Sequence, residues 1–224
     1  TTYFPSCTEI LSVYPKGWGF QDWLKQVGYN ADIIVERAAE VGSKLHDTFD
    51  NLIKGTEVIW DGKNYTIEEW EMICKFMEFW QRYNPKVLIN EVSFCSENLK
   101  FGGTIDLVCE INGKRWLIDF KSSNAIYTSY ELQTAAYAML WNEQNPKYPI
   151  DQTGMLWLKA ATRGEDKKGV SMQGKGWQVK VWERHYTDAF KIFQHTQAIW
   201  QEENPTYSPK NKTLPDRFKI TTKN

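Results

Sequence analysis

The dipeptide Asn112-Gly113 separates two runs of alternating apolar residues, and it constrains this 224-residue chain more than any other feature. Asn-Gly is the strongest short signal for a two-residue hairpin, because both positions of such a turn need a positive φ. A two-residue turn also fixes the register of the strands it joins. Residue 111 then faces 114, Glu110 faces Arg115, Val108 faces Leu117, Asp106 faces Asp119 and Thr104 faces Lys121. The other side of the ribbon carries Ile105, Leu107, Cys109, Trp116, Ile118 and Phe120, an apolar face that is expected to be core.

Two carboxylates directly across an antiparallel pair have Cβ atoms roughly 4.5–5.5 Å apart and repel each other. Their neighbours Val108 and Leu117 are apolar, so the pair is expected at a partly covered edge with a positive partner. A divalent cation with oxygen ligands at about 2.1 Å suits that spacing. Lys121, two residues beyond Asp119, points to the same side. The hairpin alone leaves a second reading open, in which both acids are solvated and Lys121 is a surface partner.

The rest of the chain reads as a mixed α/β protein. Asn30 precedes a helical pattern through Ile33, Ala38, Val41, Leu45, Phe49 and Leu52 that Gly55 stops. Thr66 and Glu69 form a capping box for a second helix that ends at Asn84-Pro85. Strands are expected over 87–95, 103–111 and 114–121. Thr128 and Glu131 suggest another capping box, opening a helix that runs to about Trp141. Strands over 153–160 and 177–182 and a helix over 187–203 complete the pattern. The expectation is one domain spanning 1–224, with a helical N-terminal part over about 1–85 and an irregular tail over about 205–224.

A net charge of −1 excludes bulk positive charge as a means of holding a polyanion, so any such partner must meet a local patch. No apolar run is long enough to span a bilayer, and a cytoplasmic setting is expected. Cys7, Cys74, Cys95 and Cys109 are scattered without a C-x-x-C pair and read as reduced core thiols, so no iron–sulfur cluster is expected.

Four ordered segments resemble the PD-(D/E)XK nuclease superfamily, specifically its RecB-like exonuclease branch. They are Gly42-Ser43-Lys44-Leu45-His46 on a helix, Gly103-Thr104-Ile105-Asp106 on a strand, Asp119-Phe120-Lys121 on the next strand, and Gln133-Thr134-Ala135-Ala136-Tyr137 on the following helix. The opening Phe4-Pro5-Ser6-Cys7-Thr8-Glu9-Ile10-Leu11 also looks like the start of phage-encoded members, which would place the protein in a bacterial host cytoplasm. The resemblance implies a restriction-endonuclease-like core, a mixed sheet with an antiparallel catalytic hairpin flanked by helices. It implies that Asp106 and Asp119 hold Mg²⁺ or Mn²⁺ with the Phe120 carbonyl and His46, and that Lys121 acts on the attacking water. It further implies that Gln133 and Tyr137 orient the lysine or the DNA strand. On the residues alone, His46 reads as a structural helical histidine or a metal-shell group, and Glu91 as an edge-strand charge or an accessory acid.

Between residues 159 and 180 six basic residues, among them Lys159, Arg163, Lys167, Lys168 and Lys175, face only Glu165 and Asp166. With Gly164, Gly169, Gly174 and Gly176 this reads as a DNA-tracking loop or as a solvated hairpin tip. Trp18, Trp23 and Tyr127 lie near turns and are the base-stacking candidates. The expected activity is metal-dependent exonucleolytic cleavage of DNA, with a structure-specific endonuclease or a non-catalytic DNA-binding protein as alternatives. No helicase motif is present, so unwinding needs a helicase, recombinase or single-strand-binding partner.

Overall fold

A computed structural model of the chain describes residues 2–165, 171–207 and 210–211. A mixed five-stranded sheet forms its middle layer: β2 (Lys86–Ser96), β3 (Phe101–Ile111), β4 (Lys114–Lys121), β5 (Gln152–Glu165) and β6 (Ser171–Val181), side by side in chain order. All neighbouring strands are antiparallel except β4 and β5. That parallel pair needs a crossover, supplied by α5 (Thr128–Gln144). Before the sheet come α1 (Cys7–Ile10), α2 (Gly17–Val27), α3 (Ala31–Ile53) and α4 (Ile67–Tyr83), and after it α6 (Tyr186–Glu203). A short pair of strands, β1 (Thr2–Tyr3) and β7 (Lys210–Asn211), ties the start of the chain to a segment read from sequence as irregular.

Local chemistry explains the boundaries. Thr66 and Glu69 cap α4 reciprocally, and Glu69 also accepts from Lys44 Nζ at 2.9 Å, which fastens α4 to α3. Asn84, at φ 43°, closes α4 in a left-handed conformation before Pro85. The expected capping box at Thr128 and Glu131 does not form. Tyr127 is the N-cap, no side chain caps α5, and the Glu131 carboxylate instead lies 3.8 Å from Arg184. Ser6 and Glu9, by contrast, build a capping box on α1 that the sequence reading passed over.

Both faces of the sheet are core, not one. Leu107, Cys109, Ile118 and Phe120 pack against α3 and α4, where Phe49 and Phe76 stack at 4.2 Å and each meets the Phe120 ring edge-on at 5.5 Å. Val108 and Leu117, expected on the open face, are fully buried with α1, α5 and α6. The run Ala135, Ala136 and Ala138 lets α5 lie close on the strands beneath α6. Each large apolar side chain buried this way contributes about 1.5–3 kcal/mol. The thiols divide: Cys7 and Cys109 are buried, whereas Cys74 and Cys95 are exposed and are not core residues.

The predicted hairpin register holds from Ile111–Lys114 to Leu107–Ile118 and then stops. Asn112 and Gly113 take φ of 51° and 76°, as a two-residue turn of this kind requires. Ile105, expected beside Leu107, packs in the opposite core cluster. The alternation of β3 is therefore interrupted at Asp106, and the strands open where the candidate acids lie.

Candidate active site

Where the β3–β4 ladder ends, a side chain takes over from the backbone. Asp106 Oδ2 accepts the Phe120 N–H at 2.7 Å. Its other oxygen, Oδ1, lies 3.4 Å from His46 Nδ1, which also contacts Glu91 Oε1 at 3.2 Å. The second ring nitrogen, Nε2, sits 3.2 Å from the Phe120 carbonyl. Glu91 is on β2 opposite this opening and holds a left-handed φ of 48°, which is strained for a residue with a side chain. His46, Glu91 and Asp106 can bring one ligand atom each within 4.8 Å of one another.

Asp119 lies beside this cluster, almost wholly buried, with its Oδ2 at 2.6 Å from Lys121 Nζ. That approach is an ion pair, and the same oxygen has no aligned hydrogen bond. The ammonium of Lys121 also rests 4.9 Å from the centre of the Tyr130 ring. On the neighbouring turns of α5, Gln133 Nε2 donates to Tyr137 Oη at 3.1 Å. A Cβ at Gly103 would stand 2.5 Å from Tyr137 Cε1, so glycine is required there for the ring to reach its place. At Gly42 an added Cβ would meet only Ser122 Oγ at an ordinary 3.9 Å, so that glycine leaves space in the cleft and relieves no clash.

These groups line an open cleft of about 850 Å³ that His46, Glu91, Asp106, Phe120, Lys121 and Tyr137 share. Its electrostatics follow from burial and from acids set against an ammonium and an imidazole. Burial pushes the Asp119 carboxyl up to about 6, the Lys121 charge opposes this, and the Asp106 charge adds to it. Burial disfavours a charged His46, but the Asp106 charge, hydrogen bonds to Asp106 and Glu91, and the Asp119 charge outweigh it and raise the imidazole to about 10. Burial likewise opposes the Lys121 charge, yet Asp119 and Asp106 hold the ammonium above its usual value. Acids gathered this closely want a cation.

The donor set fits a hard divalent cation. It offers carboxylate oxygens from Asp106 and Glu91, a backbone carbonyl, an imidazole, and in Asp119 a buried oxygen that lacks a full set of partners. A family profile of the PD-(D/E)XK nuclease superfamily matches residues 24–209.

The chain belongs to the PD-(D/E)XK nuclease superfamily. It is a nuclease on a mixed α/β sheet of the restriction-endonuclease type. Among solved structures it is similar to a protein of Eubacterium rectale described as a "Putative exonuclease", at 15% identity and a TM-score of 0.44, covering 83% of this chain and 76% of that one. It is also similar to a protein designated SSO0001, at 10% identity and a TM-score of 0.32, covering 80% of this chain and 89% of that one. No curated protein matches.

The structure brings Asp106, Asp119, Lys121, His46, Phe120, Glu91 and Tyr137 to one place, with Gln133 bonded behind Tyr137. Lys159 is elsewhere: it pairs with Glu68 at 2.7 Å and borders a separate hollow with Asn124 and Met72. The side chains of Arg163, Lys167, Lys168 and Lys175 lie outside the described residues. The sequence reading missed Tyr130, although its spacing three and seven residues before Gln133 and Tyr137 places all three on one helix face. It also missed Ser6 and Thr8, which reach the cleft because Ser6 bridges to Gly102 across the sheet edge. No helix among the described residues is long and apolar enough to cross a membrane.

Proposed function

We propose that the chain is a divalent-metal-dependent deoxyribonuclease of the RecB-like branch that degrades DNA from its ends. The observation that carries this reading is the cluster of His46, Glu91 and Asp106 beside the buried Asp119–Lys121 pair, at the floor of an open cleft. Asp106, Glu91 and His46, helped by Asp119 and the Phe120 carbonyl, would hold Mg²⁺ or Mn²⁺. A cation there supplies charge that offsets the phosphodiester and lowers the pKa of water.

The remaining work belongs to side chains. Lys121, kept charged by Asp119, donates to the phosphate oxygens on which negative charge accumulates. Its ammonium is held between Asp119 and the Tyr130 ring, so little reorganisation is needed at the moment of reaction. Gln133 and Tyr137 position the strand, with Gly103 giving the Tyr137 ring room. Phe120 has two roles: its ring anchors β4 in the aromatic core, and its backbone presents an N–H to Asp106 and a carbonyl to His46. Removal from ends is what the resemblance of the four segments to the RecB-like exonuclease branch implies, and an endonuclease would keep the same site.

The test is incubation with Mn²⁺ of end-labelled linear DNA beside a covalently closed circle. Loss of label from the linear molecule with an intact circle is expected. Cutting of the circle would make the chain an endonuclease, and an inert preparation would leave a binding protein on this fold.

A further inference from the structure

The catalytic cleft does not end at the acids. Ala38 and Tyr130 line it and also line a second groove of about 560 Å³, which runs between the start of α2 and the first turn of α5. The rings of Tyr14, Phe20, Tyr127 and Tyr130 furnish this groove. Among the described residues its only charged lining side chain is Lys16, whose ammonium stands 4.6 Å from the centre of the Phe20 ring. The two spaces differ in charge: the cleft holds Asp47, Glu91 and Asp106 beside Lys121 and His46, while the groove has rings, hydroxyls and no acid among its lining residues.

The rings are also connected to the chemistry. Tyr127 stands edge-on to Tyr130 at 5.4 Å between centres, and Tyr130 carries the Lys121 ammonium at 4.9 Å. Tyr127 remains 39% exposed, so its surface is available to a ligand. A groove this size falls within the roughly 300–1,000 Å³ of sites that enclose small molecules. In a nuclease the partner that offers flat π-faces is a nucleobase, and stacking on aromatic side chains is tolerant of sequence. Within a duplex each of those faces is already covered by its neighbours, so only unpaired bases are free to enter. Lys16 suits the phosphates between them.

We propose that this groove receives unpaired bases of a single-stranded DNA end, stacked on Tyr127, Phe20 and Tyr14, while the adjoining backbone crosses the acidic cluster. The assignment rests on the nuclease reading and adds to it the substrate class: DNA with a single-stranded terminus.

The test uses the full chain in EDTA, so that binding is read without cleavage. The probes are a labelled oligothymidylate, the same backbone without bases, and a blunt duplex of equal length. The oligothymidylate should bind roughly tenfold more tightly than the abasic strand, the scale of one lost stacking contact. Tyr127→Leu and Phe20→Leu should each weaken the oligothymidylate by a similar factor and leave the abasic strand unchanged, and Tyr127→Phe should restore wild-type binding. Equal affinity for strands with and without bases, or variants that alter neither, would overturn the proposal. So would tighter binding of oligouridylate, which makes the occupant RNA, or self-association abolished by Phe20→Leu, which makes it a second copy of the chain. Cleavage of both the oligothymidylate and the blunt duplex with Mn²⁺ is assayed in parallel. Failure on both by the wild-type chain removes the nuclease reading, whereas cleavage with flat binding comparisons removes the groove alone.

Discussion

The two halves of the β3–β4 ribbon are built from the same chain and follow different rules. Near Asn112-Gly113 the backbone satisfies itself, residue pairs alternate between two apolar clusters, and the acid Glu110 is a surface residue paired with Lys86 at 3.1 Å. Beyond Leu107 and Ile118 a carboxylate accepts the backbone N–H of Phe120, the alternation slips, and acids are buried beside an imidazole and an ammonium. The regular half makes the ribbon stable. The open half spends that stability on burying carboxylates beside an ammonium and an imidazole, at a cost in desolvation that raises the Asp119 carboxyl.

The sharpest way to break the comparison is to remove one acid from each half. Asp119→Asn is expected to lower cleavage by about 10³-fold or more, since a buried charge at the reacting centre is lost. Thermal unfolding of the metal-free variant should occur at the same temperature or higher, because the cost of burying that charge, which outweighs its pairing with Lys121, has gone. Glu110→Gln, at the regular end, should leave cleavage within about twofold and stability within about 0.5 kcal/mol. If both variants cleave equally well, the open half is not the site.

Glycines offer the next contrast. Gly103→Ala would place a Cβ 2.5 Å from Tyr137 Cε1 and should cost about 1–3 kcal/mol while moving Tyr137 and with it Gln133. Cleavage per folded molecule should fall by roughly tenfold, the consequence of misplacing a positioning group. Gly113→Ala meets no neighbour but must hold φ 76°, so it should cost about 1–2 kcal/mol. Its cleavage per folded molecule should be unchanged. Urea denaturation and active-fraction-corrected rates separate the two effects.

How much of this was readable beforehand also divides along the ribbon. The turn, its register and the helix beginning at Thr66 follow from local chemistry, because Asn-Gly and a capping box act over three or four residues. Asp106 and Asp119 were found by extending that register, and they are indeed neighbours. The means differ: the ladder has ended, and the Asp106 side chain bridges the gap. That substitution of carboxylate for backbone depends on α3 delivering His46 and β2 delivering Glu91, contacts that span 45 and more residues and leave no periodic trace. Ile105 was misplaced for the same reason, since counting by twos cannot register a slip caused by tertiary contacts. Val108 and Leu117 read as only partly covered because the cover over them, α5 and α6, belongs to later sequence.

The finest contrast is in pH. In the open half the folded state holds protons more tightly than the unfolded chain does. The Asp119 carboxyl sits at about 6 against an ordinary 3.8, so its contribution to stability is whole below about pH 3.8 and is lost as the pH climbs through 6. His46 sits at about 10 against 6.5, so its contribution is whole below 6.5 and disappears as the pH passes 10. In metal-free protein in EDTA, Asp119 and His46 should therefore subtract stability between pH 4 and 6 and again in the alkaline range, opposite to the gain that the lowered carboxyls of Asp61, Glu69 and Asp188 give over the acid range. Urea midpoints measured at intervals of pH check this, and Asp119→Asn should remove the lower step. Mn²⁺ should reverse the trend between pH 5 and 7, because the cation competes with the protons that the acids and imidazole otherwise hold. A difference in midpoint between the parent chain and Asp119→Asn that does not change from pH 4 to 6 in EDTA would mean that Asp119 holds no extra proton, and the contrast with the turn end would fail.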